Sequence, residues 1–438
     1  MTSPYSQVDP ANTVFALVSF EGPDPYSLAG GLGVRVSELA QSLAQHGFET
    51  HLIFVGDPSE ERHELREAGR LHLWRVCREI SRYMPAGVYE GEEGKLERFR
   101  QIVPSLVHEQ IAIRTAEANQ LLVVMGEDWH TAATMIEISD LLYWHGLRRR
   151  ALLLWNANNT FGVPRIDWRR LTFTTQILTV SRYMQQLMKD QGVSPLVIPN
   201  GIPSRHLEAV QDARIERFRA QFAGRLTLTK VARFDPNKNW LQAVRAVRRL
   251  KALGLRPLMF MRGGVEGHGH EVLAEINTLG LQRSDLRLVN PSPERCLDAF
   301  DELPDCDAIF LRFFVPEEVQ RLLYCGSDSV LANSSHEPFG LVGLEVMAAK
   351  GLAITGSTGE DYAQHLLNAI VLDTSDPDEI VGSQLYLRSN PEVAAELRRV
   401  AGLTSSFYVW DRVIEKLISK LQYLVMTQGL IFDGNRQC

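Results

Sequence analysis

The 438-residue sequence has little cysteine, no long apolar run and no surplus of positive charge. Its five cysteines, Cys77, Cys296, Cys306, Cys325 and Cys438, are scattered, odd in number and form no Cys-x-x-Cys pair. That pattern argues against a disulfide framework and a zinc-ribbon site, and suits reduced thiols in a cytoplasm. No apolar stretch approaches the ~18 residues that a membrane-spanning helix needs, and Met1 to Asn12 is short and polar, unlike a signal peptide. No integral membrane span is therefore expected. The formal net charge is −7, from 46 Lys and Arg against 53 Asp and Glu. Without a cationic excess to neutralise phosphates, nucleic acid is not the expected partner. The short basic run Arg148-Arg149-Arg150 reads as a solvated loop or helix end. No short-period repeat is visible, and no His/Cys ligand spacing points to a metal.

What is present is a strand–helix rhythm that runs twice. Thr13–Phe20 is a short β-branched and aromatic run, as in a buried strand. Gly30, Gly31 and Gly33 follow, then Val36, Leu39, Ala40 and Leu43 at helical spacing, then the apolar run His51–Val55. This is a βαβ unit. Leu121–Met125, Ala151–Trp155 and Ile177–Val180 continue as strands, while the more charged segment Ser81–Gln120 reads as a helical insertion. The rhythm restarts with a strand at Leu226–Ala232, a helix over Trp240–Leu253 and strands at Pro257–Met261, Leu286–Asn290, Ser329–Ala332 and Leu352–Thr355. Continuous apolar strands imply sheets covered on both faces. The fold class is thus α/β, with two doubly wound Rossmann-like domains. A chain this long exceeds the ~250–300 residues at which one core stops growing.

Three places concentrate chemistry. Ser27-Leu-Ala-Gly-Gly-Leu-Gly33 joins a strand to a helix, where glycines allow close backbone approach and the helix N-terminus favours phosphate. It is not G-x-G-x-x-G and lacks the P-loop Lys-Ser/Thr, so a plain tight turn is the alternative. Arg233 and Lys238 share one strand-to-helix loop, with Pro236 forcing a turn between them. Two such cations suit a diphosphate whose charge grows as its sugar leaves, and a pair of solvated surface cations is the alternative. Glu337 and Glu345 lie eight positions apart around Pro338 and Gly340, with a helix expected to start by Leu341. Carboxylates there suit paired hydrogen bonds from sugar or ribose hydroxyls, the alternative being a helix-dipole carboxylate and a surface loop glutamate.

Taken together these residues resemble the signature of retaining glycosyltransferases of family 4, with related motifs in glycogen and starch synthases. The likeness takes in Gly30-Gly31-Leu32, Thr179-Val-Ser-Arg-Tyr-Met184, Ile198-Pro-Asn-Gly-Ile202, Arg233 and Lys238, Glu337 to Glu345, and Phe407-Tyr-Val-Trp410. It spans residues 13 to about 425. It implies the GT-B architecture, two Rossmann-like domains facing across a cleft: an acceptor-side domain over 1–203, a donor domain over 204–408 and a C-terminal helix over 409–438 crossing back. It also implies closure about residues 200–205 and 405–410. By resemblance, Arg233 and Lys238 hold the donor diphosphate, with Glu337 beside the donor sugar as the third catalytic residue. Glu345 binds the ribose, Gly340, Leu341 and Val342 approach the diphosphate, and Gly30, Gly31 and Gly33 offer backbone N–H groups to phosphate. The implied partners are a nucleoside diphosphate sugar, UDP- or ADP-linked, and a saccharide or small-molecule acceptor, with no metal and no cofactor. A sugar phosphorylase or trehalose-type synthase of the same fold, a nucleotide-sugar hydrolase or epimerase, and a non-catalytic nucleotide-sugar binder are the competing functions.

The sequence departs from that pattern in places. Leu28 stands where glycogen synthases carry Lys, and Pro203 follows Ile202 where Asp is usual. The His that ends an N-domain strand is replaced near Trp155 or Asn156. The cluster Asn156, Asn158 and Asn159 is then a candidate for sugar contact, and Asp128, in Glu127-Asp-Trp-His130, a candidate for the acceptor. His130 reads as a helix-start residue. Thr355–Asp361 replaces the usual glycine-rich turn, and Gly263–His270 reads as a flexible loop carrying His268 and His270.

Overall fold

A computed structural model describes residues 7–432, so Cys438 and the first six residues of the polar N-terminal stretch lie outside the described residues. The chain divides into two compact units, one formed by residues 1–201 with 410–438 and the other by 202–409.

The first unit is built on an eight-stranded sheet in the order β3-β4-β2-β1-β5-β6-β7-β8. Its strands are β1 (Thr13–Val18), β2 (Glu49–Val55), β3 (His63–Arg66), β4 (Leu71–Val76), β5 (Leu121–Glu127), β6 (Ala151–Ala157), β7 (Gln176–Thr179) and β8 (Leu196–Val197). All pairs are parallel except β3 with β4. The helices are α1 (Gly31–Gln45), α2 (Arg78–Ser81), α3 (Glu92–Leu106), α4 (Ile113–Glu117), α5 (Trp129–Trp144), α6 (Trp168–Thr174) and α7 (Arg182–Lys189). The charged segment after Ser81 is largely helical as expected, with a π turn at Val107–Ala112 between α3 and α4.

The second unit carries a seven-stranded, all-parallel sheet in the order β11-β12-β10-β9-β13-β14-β15. These are β9 (Leu226–Val231), β10 (Pro257–Arg262), β11 (Arg283–Leu286), β12 (Ala308–Leu311), β13 (Ser329–Ala332), β14 (Ala353–Thr355) and β15 (Ile370–Val371). Its helices are α8 (Asp212–Gln221), α9 (Trp240–Ala252), α10 (His268–Thr278), α11 (Pro293–Asp301), α12 (Glu317–Gly326), α13 (Leu341–Ala348), α14 (Pro377–Ser389) and α15 (Pro391–Ser405). One face packs Leu228, Met259 and Met261 under α9; the other packs Leu258, Phe260 and Ile309 against α8, α11 and α12. Burial on both faces is why these strands read as unbroken apolar runs.

A last helix, α16 (Trp410–Gln428), belongs to the first unit. Its residues Val413, Ile414, Leu417, Leu421, Leu424 and Val425 recur at helical spacing and join the core shared by α1 and the sheet. Burying each such side chain stabilises by about 1.5–3 kcal/mol. Gly201 is fixed by this packing, because a Cβ there would sit 2.5 Å from the Trp410 ring.

Two sequence expectations are corrected here. The strand placed at Leu286–Asn290 is β11, Arg283–Leu286, three residues earlier. It is an edge strand, and its first three residues, Arg283, Ser284 and Asp285, are polar, with only Leu286 buried. His268 and His270 lie in the first turn of α10, not in a loop, and His268 Nδ1 is 3.0 Å from Glu271. The alternating strand β4 (Leu-His-Leu-Trp-Arg-Val) and the short strands β3, β8, β12 and β15 are not anticipated from the sequence.

Candidate functional site

Each sheet reverses its winding direction once, between β1 and β5 in the first unit and between β9 and β13 in the second. Crevices at the carboxyl ends of strands at such switch points are where open α/β sheets take ligands. The sequence-predicted residues fall at both.

In the second unit, Arg233 follows β9 and Glu337 follows β13. The loop carrying Lys238 is shaped by Asp235, whose carboxylate accepts the Asn237 amide at 2.8 Å, and by Asn239 at φ +50°. Lys238 Nζ forms an ion pair with Glu337, and both side chains are 20% exposed. The Asn237 carbonyl accepts the Ser335 amide at 2.8 Å, which ties the two loops together. A third loop joins them: the Thr358 hydroxyl accepts the Glu337 amide at 2.9 Å, and the Gly359 amide donates to the Glu337 carbonyl at 2.8 Å. Arg233 is exposed, and its guanidinium makes no hydrogen bond or ion pair among the described residues. It is therefore available to an anion.

Helix α13 starts at Leu341 as expected, behind Gly340 at φ +77°, a left-handed position that suits glycine. The unpaired N–H groups of its first turn, on Leu341, Gly343 and their neighbours, favour negative charge. Glu345 lies on its second turn, where Gln320 Nε2 donates to it at 3.1 Å. Loss of hydration pushes its carboxyl up to about 7.

Two further ionisable groups sit under these loops and were missed in the sequence. Lys230 is 1% exposed, donates to the Leu331 carbonyl at 3.2 Å and to Asn333 Oδ1, and lies 5.2 Å from the Trp240 ring centroid. Burial, then the Lys238 charge, lowers its ammonium to about 7. Glu360 is 6% exposed and accepts the Thr358 amide at 3.1 Å, while its Oε1 has no partner. Burial, then Glu337, raises it to about 8, so it is held protonated at neutral pH. The Lys inside the otherwise apolar β9 was the legible signal for the first. The second lies in Thr355–Asp361, the segment that replaces the usual glycine-rich turn, where its carboxyl was not singled out.

A hollow of about 120 Å³ opens at these strand ends, lined by Asn239, Asn333, Ser335, Gly356 and Thr374. Larger hollows lie away from this chemistry. One of about 550 Å³ is at the opposite strand ends of the second unit, where Arg219 and Arg398 are spent on backbone carbonyls. One of about 660 Å³ lies beside α3 and α5 in the first unit. The chain's two Asp-x-Asp pairs are also elsewhere: Asp307 binds Lys251 and the Gln282 amide, and Asp376 caps α14.

In the first unit the glycine loop sits at the N-terminus of α1 as expected, but its amides are not free. Glu21, 4% exposed, accepts the Gly30 amide at 2.9 Å and the Gly33 amide at 3.0 Å through one oxygen. Its other oxygen accepts the Tyr89 hydroxyl. The Gly33 amide expected to meet phosphate thus already holds an internal anion, for the same electrostatic reason. The Gly31 amide is not among those it holds.

At the end of β5, Glu127 is fully buried and pairs with Arg35 at 3.2 Å. Arg35 also donates to Asn200, at the end of the first unit's main segment. Asn156 Nδ2 donates to Glu127 at 2.9 Å and Asn158 Nδ2 at 2.6 Å. Asp128 accepts the Asn158 amide at 3.0 Å and the Asn159 side chain. The asparagine cluster proposed to meet sugar is therefore engaged mainly by its own carboxylates. Of the polar atoms in this asparagine cluster, Asn156 Oδ1 is buried without a partner among the described residues. Asp128 has φ +63° and ψ 173°, a region costly to any residue but glycine. Burial raises its carboxyl to about 7. His130 is the second residue of α5, stacked 4.5 Å from Phe20, with Nε2 2.7 Å from Glu92; burial lowers its imidazole pKa. Arg148 is not solvated as read from the sequence. It donates to Ser139, Ala151 and Thr174 and clamps the turn before β6.

The four described cysteines are buried free thiols. Among the described residues no helix is long and apolar enough to cross a membrane.

No family model matches this chain, and no curated protein matches it by sequence. Solved structures do. Sucrose-phosphate synthase from Thermosynechococcus elongatus superposes with a TM-score of 0.66 at 15% identity, covering 95% of this chain and 100% of that one. The catalytic domain of starch synthase IV from Arabidopsis thaliana, bound to ADP and acarbose, gives 0.65 at 14%, covering 95% and 99%. Anabaena HepE in complex with UDP-glucose gives 0.61 at 14%, covering 93% and 99%. These neighbours are GT-B glycosyltransferases, and the chain has the GT-B fold, with two parallel-sheet Rossmann-like domains.

Proposed function

We propose that this chain is a retaining glycosyltransferase that moves a glucosyl group from a UDP- or ADP-sugar to a saccharide or small-molecule acceptor, without a metal. The observation that carries this reading is the convergence of Arg233, Lys238 and the first turn of α13 at one switch point of the second unit. As the glycosidic bond to the diphosphate breaks, negative charge builds on the leaving oxygens. Lys238 and Arg233 neutralise it, and the N–H groups of Leu341 and Val342 share it. Donor binding draws Lys238 from Glu337 towards phosphate and leaves the Glu337 carboxylate to accept sugar hydroxyls. Glu345, deeper on α13, takes the ribose hydroxyls. Neighbours crystallised with UDP-glucose and with ADP support a nucleotide-sugar donor.

Two features favour an acceptor bound to polar groups of the first unit rather than one activated by histidine. Trp155 and Asn156 stand nearest the strand end where the resemblance implies a His, and neither an indole nor an amide exchanges a proton near neutral pH. In this reading Asp128, whose buried carboxyl is raised to about 7, takes the proton-accepting role instead.

The test is thermal stabilisation by a panel of UDP-, ADP- and GDP-sugars, followed by nucleoside diphosphate release with and without acceptors. A selective shift with acceptor-dependent release is expected. Release without any acceptor makes the chain a hydrolase, and tight binding without release makes it a binding module. No shift with any nucleotide removes the donor site altogether.

A further inference from the structure

The outer face of the first unit's sheet edge carries three imidazoles and a carboxylate that the reaction does not use. Strand alternation puts Leu52, Phe54, Leu71 and Leu73 in the core, so Glu49 and His51 on β2 and His72 and Trp74 on β4 point the other way. His51 and His72 are register partners across the parallel pair. His63 on β3 is the register partner of Trp74 and joins the same face.

We propose that Glu49, His51 and His72 form a binding site for one zinc-class divalent cation, with His63 orienting His72 from behind. Two ligands at i and i+2 on one strand and a third directly across make a three-point set on a rigid platform. The ligand atoms all lie within 4.8 Å of one another. His51 Nε2 is 3.1 Å and His72 Nε2 3.9 Å from Glu49 Oε1. Metal bonds near 2.0–2.2 Å place tetrahedral ligand atoms about 3.3 Å apart, so small side-chain rotations complete the set. His63 Nε2 lies 3.1 Å from His72 Nδ1, the outer hydrogen bond that a metal-binding imidazole ordinarily makes. His51 is 1% exposed, while the Glu49 side chain is 36% exposed, so the site is walled on one side and open to solvent on the other. That leaves an entry path and room for water as a fourth ligand.

The donor set selects the ion. Two nitrogens and one carboxylate suit zinc and its neighbours, not magnesium or calcium, which prefer oxygen. Burial disfavours the charged form of all three imidazoles. Two contacts compete with the metal. Arg114 pairs with Glu49, but its side chain is 56% exposed and swings away easily. The Trp74 indole N–H donates to His51 Nδ1 at 3.1 Å and must turn aside when Nε2 takes a metal. A bound cation would pin β2 to β4 and fasten the antiparallel β3 through His63. The site lies wholly in the first unit and does not depend on the proposed transferase activity.

The experiment is a calorimetric titration of the chelator-stripped full chain with zinc sulfate, with circular dichroism on every variant. One equivalent should bind. His72→Ala and Glu49→Gln should weaken binding by about 100-fold or more, and His63→Ala by about 10–100-fold. Arg114→Ala and Trp74→Phe should tighten it, because each removes a competitor. A His268→Ala/His270→Ala control should bind as the parent does. Glu49 and Arg114 are partly exposed, so those two variants keep the test open if His72→Ala fails to fold. Failure to bind one equivalent overturns the proposal, as does unchanged affinity in Glu49→Gln and His72→Ala, or loss of binding in the α10 control.

Discussion

Replacing Arg35 by Met strands a buried carboxylate, and the cost can be worked out from its neighbours. Arg35 is 3% exposed and Glu127 fully buried. The guanidinium donates to both Glu127 oxygens, at 3.2 and 3.4 Å, and to Asn200, and lies 5.9 Å from the Trp410 ring. Methionine fills much of the volume but supplies no charge. Glu127 would keep only the Asn156 and Asn158 amides. Breaking a buried pair from one side costs about 3–5 kcal/mol, because the remaining ion is uncompensated. For a unit of this size, each kcal/mol shifts Tm by about 2–4 °C, so the variant should melt roughly 6–20 °C lower. The decisive comparison is Arg35→Met/Glu127→Gln. With both charges gone, the double variant should recover at least about 2 kcal/mol of the single variant's loss. Differential scanning calorimetry and urea unfolding give both values. A single variant within about 1 kcal/mol of the parent refutes the reasoning. So does a double variant no more stable than the single one, since the Arg35 contacts would then matter through packing and not through charge.

Other outcomes follow from the same geometry. Lys238→Ala should lower turnover by on the order of 10²-fold or more, read as kcat at saturating donor, as for loss of a strong transition-state donor. Glu360, raised to about 8 from an ordinary 4.5, holds its proton in the folded state after the unfolded chain has lost it. Its contribution therefore favours folding at low pH and is lost as pH rises from about 5 to about 8, by several kcal/mol at most. Glu360→Gln should flatten that part of the stability–pH curve and exceed the parent's stability at pH 9; an identical pH slope in both proteins would rule out the protonated carboxyl. Glu21→Ala removes the acceptor from the Gly30 and Gly33 amides, and should cost about 1–2 kcal/mol, as for loss of a helix cap. Hydrogen exchange should show those two amides unprotected; retained protection would mean that another group holds them.

Much of the fold was legible because its strands are short apolar runs flanked by glycine loops and amphipathic helices. Ser329–Ala332 and the start of α13 at Leu341 fall where the pattern puts them. The edge strands were harder. β11 is polar over Arg283–Asp285, so the nearby apolar residues Leu286 and Leu288 place the expected strand three residues too late. The Arg233–Lys238 loop and the Glu337–Glu345 turn were visible as charged residues beside Pro and Gly at strand ends.

Sequence alone thus determined the α/β class, the two-sheet division and the charged groups near residues 233–238 and 337–345, because each is written in local periodicity and turn chemistry. Tertiary structure alone decided what those groups touch. Lys238 meets Glu337 across 99 positions, Arg35 meets Glu127 across 92, and Glu21 folds back onto the glycine amides. The histidine cluster likewise depends on strand order, since β4 lies between β2 and β3 and only that pairing sets His51 beside His72. Hydrogen bonds and ion pairs act over a few ångströms in space, and no spacing along the chain encodes which distant side chain will fill that radius.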